Sequence, residues 1–330
     1  MYETPFHQDP LHDKTFLVTG GAGFIGSNLV EYLLKYGAAK VRVLDNLLTG
    51  KIENIQPFLS HPNFEFIEGD IRDLEACRNA CHKIQYISHQ AALGSVPRSV
   101  NDPITTHEIN STGFVNMLVA ARYEKVNRFV YASSSSVYGD HPVLPKKEEE
   151  TGNLLSPYAV TKKTNELYAG VFASVYNMKI IGLRYFNVFG PKQSPDGPYA
   201  AVIPLFIQSV LNKQSPTIDG DGEQTRDFTY VENAVMANVM ALLADREDAF
   251  NSVYNVAIGK RISINELFRL IAELAGVNIK PIHRETRAGD IRDSLADISR
   301  ARKMLGYEPT FHIKEGLHQT LKWFRQNMKS

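Results

Sequence analysis

The sequence predicts an α/β fold, a doubly wound parallel sheet with a smaller carboxyl-terminal α/β lobe. Three observations carry that expectation. Short β-branched and aromatic runs alternate with apolar-periodic segments of helical length. One run, Phe16-Leu17-Val18, breaks directly into Thr19-Gly20-Gly21-Ala22-Gly23-Phe24-Ile25-Gly26, which reads as strand, tight turn, helix. A second run, Val41-Arg42-Val43-Leu44, ends in an acid, Asp45, nineteen residues after Gly26. Strands and helices alternating at this spacing build a parallel sheet covered on both faces.

Taken in order, Met1 to Lys14 reads as a mobile extension ahead of the first strand. In the glycine turn, one glycine permits positive φ, one lets backbone N–H groups approach a pyrophosphate, and one lets helix pack close on strand. The helix behind it carries Leu29, Val30, Leu33 and Leu34 on its inner face. Its unpaired N–H groups and positive dipole end favour an anion. Asp45 stands where a carboxylate accepts hydrogen bonds from an adenosine ribose, and it would repel a 2′-phosphate. Turn and acid together point to NAD rather than NADP. They place Gly20, Gly23, Phe24, Ile25, Gly26, Asp45 and Asn46 at the cofactor.

Beyond a loop at 46–50, residues 52–59 suggest a short helix and Phe64 to Ile67 a strand. The strand ends at Gly69-Asp70-Ile71, where Asp70 could accept from the adenine amino group. Residues 74–81 are helical, and a fourth strand at 85–89 opens into Gln90-Ala91-Ala92, whose small side chains leave room for a cofactor. A long apolar-periodic helix spans about Pro103 to Tyr123, and strands follow at 129–132 and 180–183. The pattern then loosens into a loop at 191–198, a helix at 203–211 and a Gly220-Asp221-Gly222 turn. A helix at 235–243 and a strand at 253–256 return to the sheet. Helices at 264–274 and 298–305 form the smaller lobe, with Trp323 in its core. The expected division is 1–186, with 229–258 returning to it, as the NAD-binding domain and 187–330 as mainly the second lobe.

Lys plus Arg equals Asp plus Glu at 36 each, so nothing draws the chain to nucleic acid or an anionic membrane surface. No apolar run approaches the roughly 20 residues of a membrane span, and the first fourteen residues are too polar for a signal peptide. Cys77 and Cys81, four apart with no second ligand pair, read as reduced cytosolic thiols rather than a metal site.

The chemistry lies in Tyr158-Ala159-Val160-Thr161-Lys162, which follows a helix-opening Pro157. Four residues apart, Tyr158 and Lys162 share a helix face, and an ammonium there would lower the phenol's pKa toward that of a usable base. Upstream, Ser133-Ser134-Ser135-Ser136 ends the fifth strand, where hydroxyls fall beside the cofactor. A serine holding a sugar hydroxyl, a tyrosinate taking its proton and a nicotinamide taking its hydride make an alcohol-oxidising site.

These residues resemble the extended short-chain dehydrogenase/reductases, in the branch of nucleotide-sugar 4-epimerases. The resemblance runs from about Thr15 to Trp323. It rests on 19–26, Asp45-Asn46, Gly69-Asp70-Ile71, 133–139, 158–162, Arg184-Tyr185-Phe186-Asn187, 220–228 and 287–290. It implies a catalytic serine four residues before the tyrosine of Val137-Tyr138-Gly139, hence Ser134 with Ser135 as the alternative, acting with Tyr158 and Lys162. It also implies Phe186 beside the nicotinamide, and Asn187 at the substrate phosphate or sugar. Ala201 and Val202 would line a uracil site, with Arg226 and Arg287 clamping a diphosphate. Related 4,6-dehydratases carry an Asp-Glu pair, and sugar-acid decarboxylases a glutamate, where this chain has Ser135-Ser136. Gly94-Ser95, Gln193, and Ser294 after Gly289-Asp290 resemble the subgroup that favours N-acetylated hexoses. The expectation is thus an NAD-dependent 4-epimerase of UDP-N-acetylglucosamine and UDP-N-acetylgalactosamine, cytoplasmic and homodimeric through the helices at 103–123 and 157–175. A UDP-N-acetylhexosaminuronic acid 4-epimerase, a 4,6-dehydratase and a non-catalytic dinucleotide sensor are the alternatives.

Overall fold

The structure, a computed structural model, describes residues 1–197, 199–285 and 292–327. The first half alternates strictly: β1 (Thr15–Thr19), α1 (Phe24–Lys35), β2 (Lys40–Asp45), β3 (Phe64–Glu68), α2 (Leu74–Cys81) and β4 (Tyr86–His89). Next come α3 (Val96–Asn101), α4 (Pro103–His107), α5 (Gly113–Tyr123), β5 (Arg128–Ser134), α6 (Pro157–Tyr176) and β6 (Ile180–Tyr185). The rest comprises β7 (Val188–Phe189), α7 (Val202–Leu211), β8 (Thr217–Asp219), β9 (Thr225–Arg226), β10 (Thr229–Tyr230), α8 (Val231–Leu242), β11 (Ser252–Val256), β12 (Ile262–Ser263), α9 (Ile264–Ala275), β13 (Ile282–Arg284), α10 (Ser299–Leu305) and α11 (Ile313–Asn327).

Seven strands form one sheet in the order β11-β6-β5-β4-β1-β2-β3, every pair parallel. The order reverses between β1 and β4, which opens a crevice at their carboxyl ends. The pleat sorts the sheet's apolar residues onto two faces. Phe16, Val18, Val41, Val43 and Ile181 pack against α1 and α8, while Leu17, Leu44, Ile87 and Phe129 pack against α2, α5 and α6. A third core, with Ile203, Phe206, Leu267, Phe268, Leu317 and Phe324, joins α7, α9 and α11 in the smaller lobe. No described helix is long and apolar enough to cross a membrane.

Most of the predicted elements are present, and the differences have physical causes. The first fourteen residues are not a loose extension. Tyr2 is 1% exposed, its ring meets Tyr32 edge-on at 5.2 Å, and its hydroxyl donates to the Asn28 carbonyl at 2.9 Å. The Tyr2 amide donates to the Glu232 carboxylate at 3.0 Å, pinning the arm across α1 and α8. Residues 52–59 form two 3₁₀ turns, Ile52–Asn54 and Gln56–Phe58, the second opened by Pro57. The long helix at 103–123 contains one π-helical turn, Glu108–Thr112. Its buried Asn110 accepts from the Leu93 amide at 2.8 Å and donates to the Leu93 carbonyl at 3.0 Å and to Thr161 Oγ1 at 3.2 Å. Helix α10 packs on β11 and α8, so Ala301 joins the main-sheet core rather than the smaller lobe. Trp323 is half-buried at the rim of the lobe's core, which Phe324 fills.

The arm gives a direct test. Tyr2→Ala empties a ring-sized site and removes its hydrogen bond, so stability should fall by about 3 kcal/mol, read by urea unfolding. A change under about 0.5 kcal/mol, the range of ordinary surface substitutions, would mean the arm does not hold in solution.

Candidate active site

A cleft of about 600 Å³ lies over the carboxyl ends of β1, β4 and β5. One end is built by the glycine turn. Gly20 has φ +66°, and a Cβ there would sit 2.7 Å from the Ala91 amide nitrogen; one at Gly26 would sit 2.2 Å from the Gly20 carbonyl oxygen. Helix α1 is therefore drawn against β1 and β4 more closely than any side chain permits. Its N-cap, Gly23, contributes no capping side chain, so the amides of the first turn face the cleft unpaired by protein. Asp45, 8% exposed, ends β2 at the same place. Its Oδ2 accepts from the Ala22 amide and its Oδ1 from the Leu47 amide, both at 2.9 Å, while burial raises its pKa. A cradle without side chains, bare helix-terminal amides and an aimed carboxylate fit a dinucleotide.

The other end holds the chemistry. Ser133 and Ser134 at the end of β5 both line the cleft, and the Ser133 hydroxyl donates to Glu166 Oε1. Ser134 Oγ accepts from the Ser136 amide at 3.1 Å and bears on the Tyr158 phenol, partly offsetting the rise that burial imposes on that group's pKa. Lys162, 3% exposed, donates from Nζ to the Ala132 carbonyl at 2.9 Å and lies 5.7 Å from the centre of the Tyr158 ring. Burial pulls the Lys162 ammonium down to about 8. In the protein alone, burial holds the Tyr158 phenol above its ordinary value, with Ser134 the group that pulls it back. A cationic nicotinamide ring would add the missing positive charge. His89, buried behind this site against Phe114 and Phe129, is pushed down to about 3 and stays neutral.

Residues 16–257 match the family described as NAD dependent epimerase/dehydratase. The chain belongs to that family. The UDP-glucose 4-epimerase of Mycolicibacterium smegmatis is 37% identical over 311 residues, 94% of this chain and 98% of that protein. Among solved structures, the UDP-N-acetylglucosamine 4-epimerase of Methanobrevibacter ruminantium in complex with UDP-N-acetylmuramic acid superposes with a TM-score of 0.90 at 41% identity. It covers 96% of this chain and 99% of that one. The UDP-glucuronic acid 4-epimerase of Bacillus cereus, in complex with UDP-glucuronic acid and NAD, gives a TM-score of 0.88 at 32% identity, over 94% and 99% of the chains. This family member is an enzyme, a nucleotide-sugar 4-epimerase that uses NAD.

The cleft gathers most residues expected from the sequence: Gly20, Gly23, Phe24, Ile25, Gly26, Asp45, Asn46, Ile71, Gln90, Ala91, Ala92, Gly94, Ser95, Ser134, Ser135, Tyr158, Lys162 and Asn187. Others stand elsewhere. Asp70 lies between two lining residues, its oxygens taken by Arg72 and by Asn46 Nδ2 and its pKa held down to about 2 by Arg72. Phe186 is fully buried in a small cluster with Val137, Tyr138 and Ile298, and does not line the cleft. Ser136 also lies outside the lining, while Gln193 donates to the Val188 carbonyl at 3.1 Å. Ala201 caps α7 and Val202 opens it. Arg226 sits on β9, its Nη1 donating to the Thr225 and Arg292 carbonyls at 2.9 and 3.1 Å, and the Ser294 amide donates to the same Thr225 carbonyl at 3.1 Å. Arg287 and Asp290 lie outside the described residues.

Sequence reading missed part of the lining. Lys51 reaches across the mouth to Ser194 Oγ at 3.2 Å and Asp196 at 3.0 Å. Lys192 bridges to Glu31 at 2.8 Å, and Gly50 must lack a side chain because a Cβ would press on the Asp45 carboxylate at 2.9 Å. Tyr185 closes a buried network in which its hydroxyl accepts from Asn238 at 2.7 Å and donates to Gln90 at 3.1 Å. Only Gly50 left a local signal, a glycine soon after the acidic strand end.

The buried ammonium makes stability depend on pH. Its folded pKa, about 8, lies below its unfolded value, so its cost to the cofactor-free fold is complete below pH 8 and fades as pH rises toward the unfolded pKa of about 10.4. Lys162→Met should therefore stabilise the cofactor-free protein at pH 7 relative to the parent, by an amount that shrinks toward pH 9.5. Paired urea titrations across that range check it; a difference that grows with pH would contradict it.

Proposed function

We propose that this enzyme interconverts UDP-N-acetylglucosamine and UDP-N-acetylgalactosamine. The observation that carries the reading is the side chains at the serine–tyrosine end of the cleft. Gly94, Ser95, Ser134 and Ser135 line it, and a Cβ at Gly94 would meet nothing within 4 Å. Among the described lining residues the one carboxylate, Asp45, is at the dinucleotide end. Among the described lining residues no acid stands by to protonate a leaving hydroxyl, so reversible oxidation at C4 is the chemistry this wall supports. Its small side chains leave room for an N-acetyl group.

In this reading Tyr158 takes the proton of the 4-hydroxyl and later returns it, and Ser134 holds the sugar oxygen. Lys162 supplies positive charge and fixes the helix to β5. NAD, held by the glycine turn, the first-turn amides of α1 and Asp45, would supply a reversible acceptor for the C4 hydride. Arg226 and Arg287 hold the diphosphate while the 4-keto sugar turns over, and Asn187, on the cleft wall with φ +36°, faces the sugar or its phosphate. We also propose a homodimer through α6 and its neighbours. Val160, Leu167, Val171 and Val175 line an apolar face of α6 between 48 and 64% exposed, and Val100 and Ile104 extend it. Free buried thiols at Cys77 and Cys81 are in keeping with a cytoplasmic enzyme.

The test is incubation of the purified protein, without added cofactor, with UDP-N-acetylglucosamine, UDP-glucose, UDP-glucuronic acid and UDP-N-acetylglucosaminuronic acid, followed by proton NMR. The N-acetylglucosamine sugar should be converted fastest to its C4 epimer. Faster turnover of an acidic sugar, or release of water to a 4-keto-6-deoxy product, would replace the reading.

Ser294→Tyr tests whether Ser294, which stands outside the cleft lining beside Thr225, borders the sugar. A ring projecting where a serine stood should oppose the acetyl group by roughly 1–3 kcal/mol, lowering kcat/KM for UDP-N-acetylglucosamine about ten- to a hundredfold and sparing UDP-glucose. Equal losses on both sugars would make Ser294 structural.

A further inference from the structure

Tyr158, Lys162 and Glu166 recur every four residues along α6 and so form one stripe. Each meets a different residue of the same three-residue stretch of β5. Lys162 Nζ donates to the Ala132 carbonyl at 2.9 Å, Ser133 Oγ donates to Glu166 Oε1 at 2.7 Å, and Ser134 bears on the Tyr158 phenol. The Glu166 carboxylate also takes the Arg184 guanidinium, Nε at 2.8 Å and Nη2 at 2.9 Å. Arg184 is the register partner of Ser133 on β6, and its Nη1 donates to the Glu148 carbonyl at 2.9 Å. Arg184 and Glu166 side chains are 2 and 7% exposed.

We propose that Glu166 is a positioning residue for the epimerase reaction: through Ser133 and Arg184 it fixes the end of β5 against α6, and thereby sets where the Ser134 hydroxyl meets the Tyr158 phenol. The inference rests on Ser134 and Tyr158 being the reacting pair. A buried ion pair contributes little net stability over apolar side chains of the same volume, so fold strength alone is a poor reason for this one. What apolar packing would not supply is direction. Ser133 and Ser134 are consecutive on one strand, so a backbone rotation that carries Ser133 off Glu166 also turns Ser134. Ser134, the register partner of Tyr185, is the last residue of β5 before the 3₁₀ turn Ser135–Tyr138, so it sits at the end of the ladder, next to the Ser133–Arg184 pair. Displacements near 1 Å at reacting groups cost about a hundredfold in rate.

Ser133→Ala tests this, because it removes one hydroxyl and leaves the Glu166–Arg184 pair intact. The expected result is a kcat lowered roughly ten- to a hundredfold with KM for the UDP-sugar, NAD content and melting temperature near those of the parent. Ser133→Thr, which restores the hydroxyl, should recover most of the loss. Should Ser133→Ala give no folded protein, the near-isosteric Ser133→Cys carries the same expectation. A kcat within about twofold of the parent, a loss that appears in KM or NAD content instead, or a threonine variant no better than alanine would overturn the proposal. Tyr158→Phe run alongside separates the two levels of inference. If it stays active, the assignment of the reacting pair fails; if it is inactive while Ser133→Ala is normal, only the role of Glu166 fails.

Discussion

The contact on which the rest depends is the approach of α1 to the carboxyl ends of β1 and β4. With the Gly26 Cα face against the Gly20 carbonyl and Gly20 against the Ala91 backbone, no side chain can stand between helix and sheet. This closeness aims the first-turn amides of α1 into the crevice at the sheet's topological switch. It also brings Ala22 within hydrogen-bond reach of Asp45 on the next strand. The cleft is thus one consequence of a backbone contact, and its two ends are held by different means. The dinucleotide end is shaped by missing side chains, the reacting end by buried charged and hydroxyl groups such as Lys162, Ser133 and Ser134 that are tied to backbone or side-chain partners.

That contrast explains what could be read from the chain. Glycines at a strand end, an acid at a second strand end, and Tyr158 with Lys162 on one helix face are local patterns, because neighbours in sequence do the work. The whole β1-α1-β2 unit and the placement of Ser134, Tyr158 and Lys162 in one cleft were legible for this reason. The amino-terminal arm was not. Tyr2 sits in a polar stretch with no periodicity, and its burial is decided by Tyr32 and by Glu232, which lies 230 residues away. Lys51 is equally silent, since its partners Ser194 and Asp196 lie 143 and 145 residues on. Helix α10 has an amphipathic pattern, but a pattern says that a face is buried and not which core takes it. Phe186 and Asp70 mark another limit: a motif position names a neighbourhood, while the rotamer and its competing partners, here Tyr138 and Arg72, decide which way the side chain goes.

The smaller lobe and the crevice meet through apolar packing of Phe24 and Val188 and through a buried polar hub. Asp227 is buried between them, pushed up to about 7 by burial although it accepts from the Ile258, Gly259 and Ala296 amides. Its backbone carbonyl receives Asn187 Nδ2 at 3.1 Å. Through its carboxylate and its backbone carbonyl, one residue so joins the end of β11, the segment after Ser294 and the cleft residue Asn187. This hub adds a polar tie to the apolar packing of Phe24 and Val188 on the lobe.

Helix α6 has no idle face. Tyr158, Lys162 and Glu166 look into the sheet, Ala169, Phe172 and Ala173 fill the core behind it, and Val160, Leu167, Val171 and Val175 form the apolar strip outside. Such a helix has little freedom to drift. A substitution on the inner side that shifts the helix axis moves the reacting stripe and the core side chains together, so acceptable changes there would have to arrive in matched pairs. The segment should therefore change more slowly over evolutionary time than the loops that carry sugar specificity, and new substrate preferences would be expected to arise at the lobe and the cleft rim, leaving this rod in place.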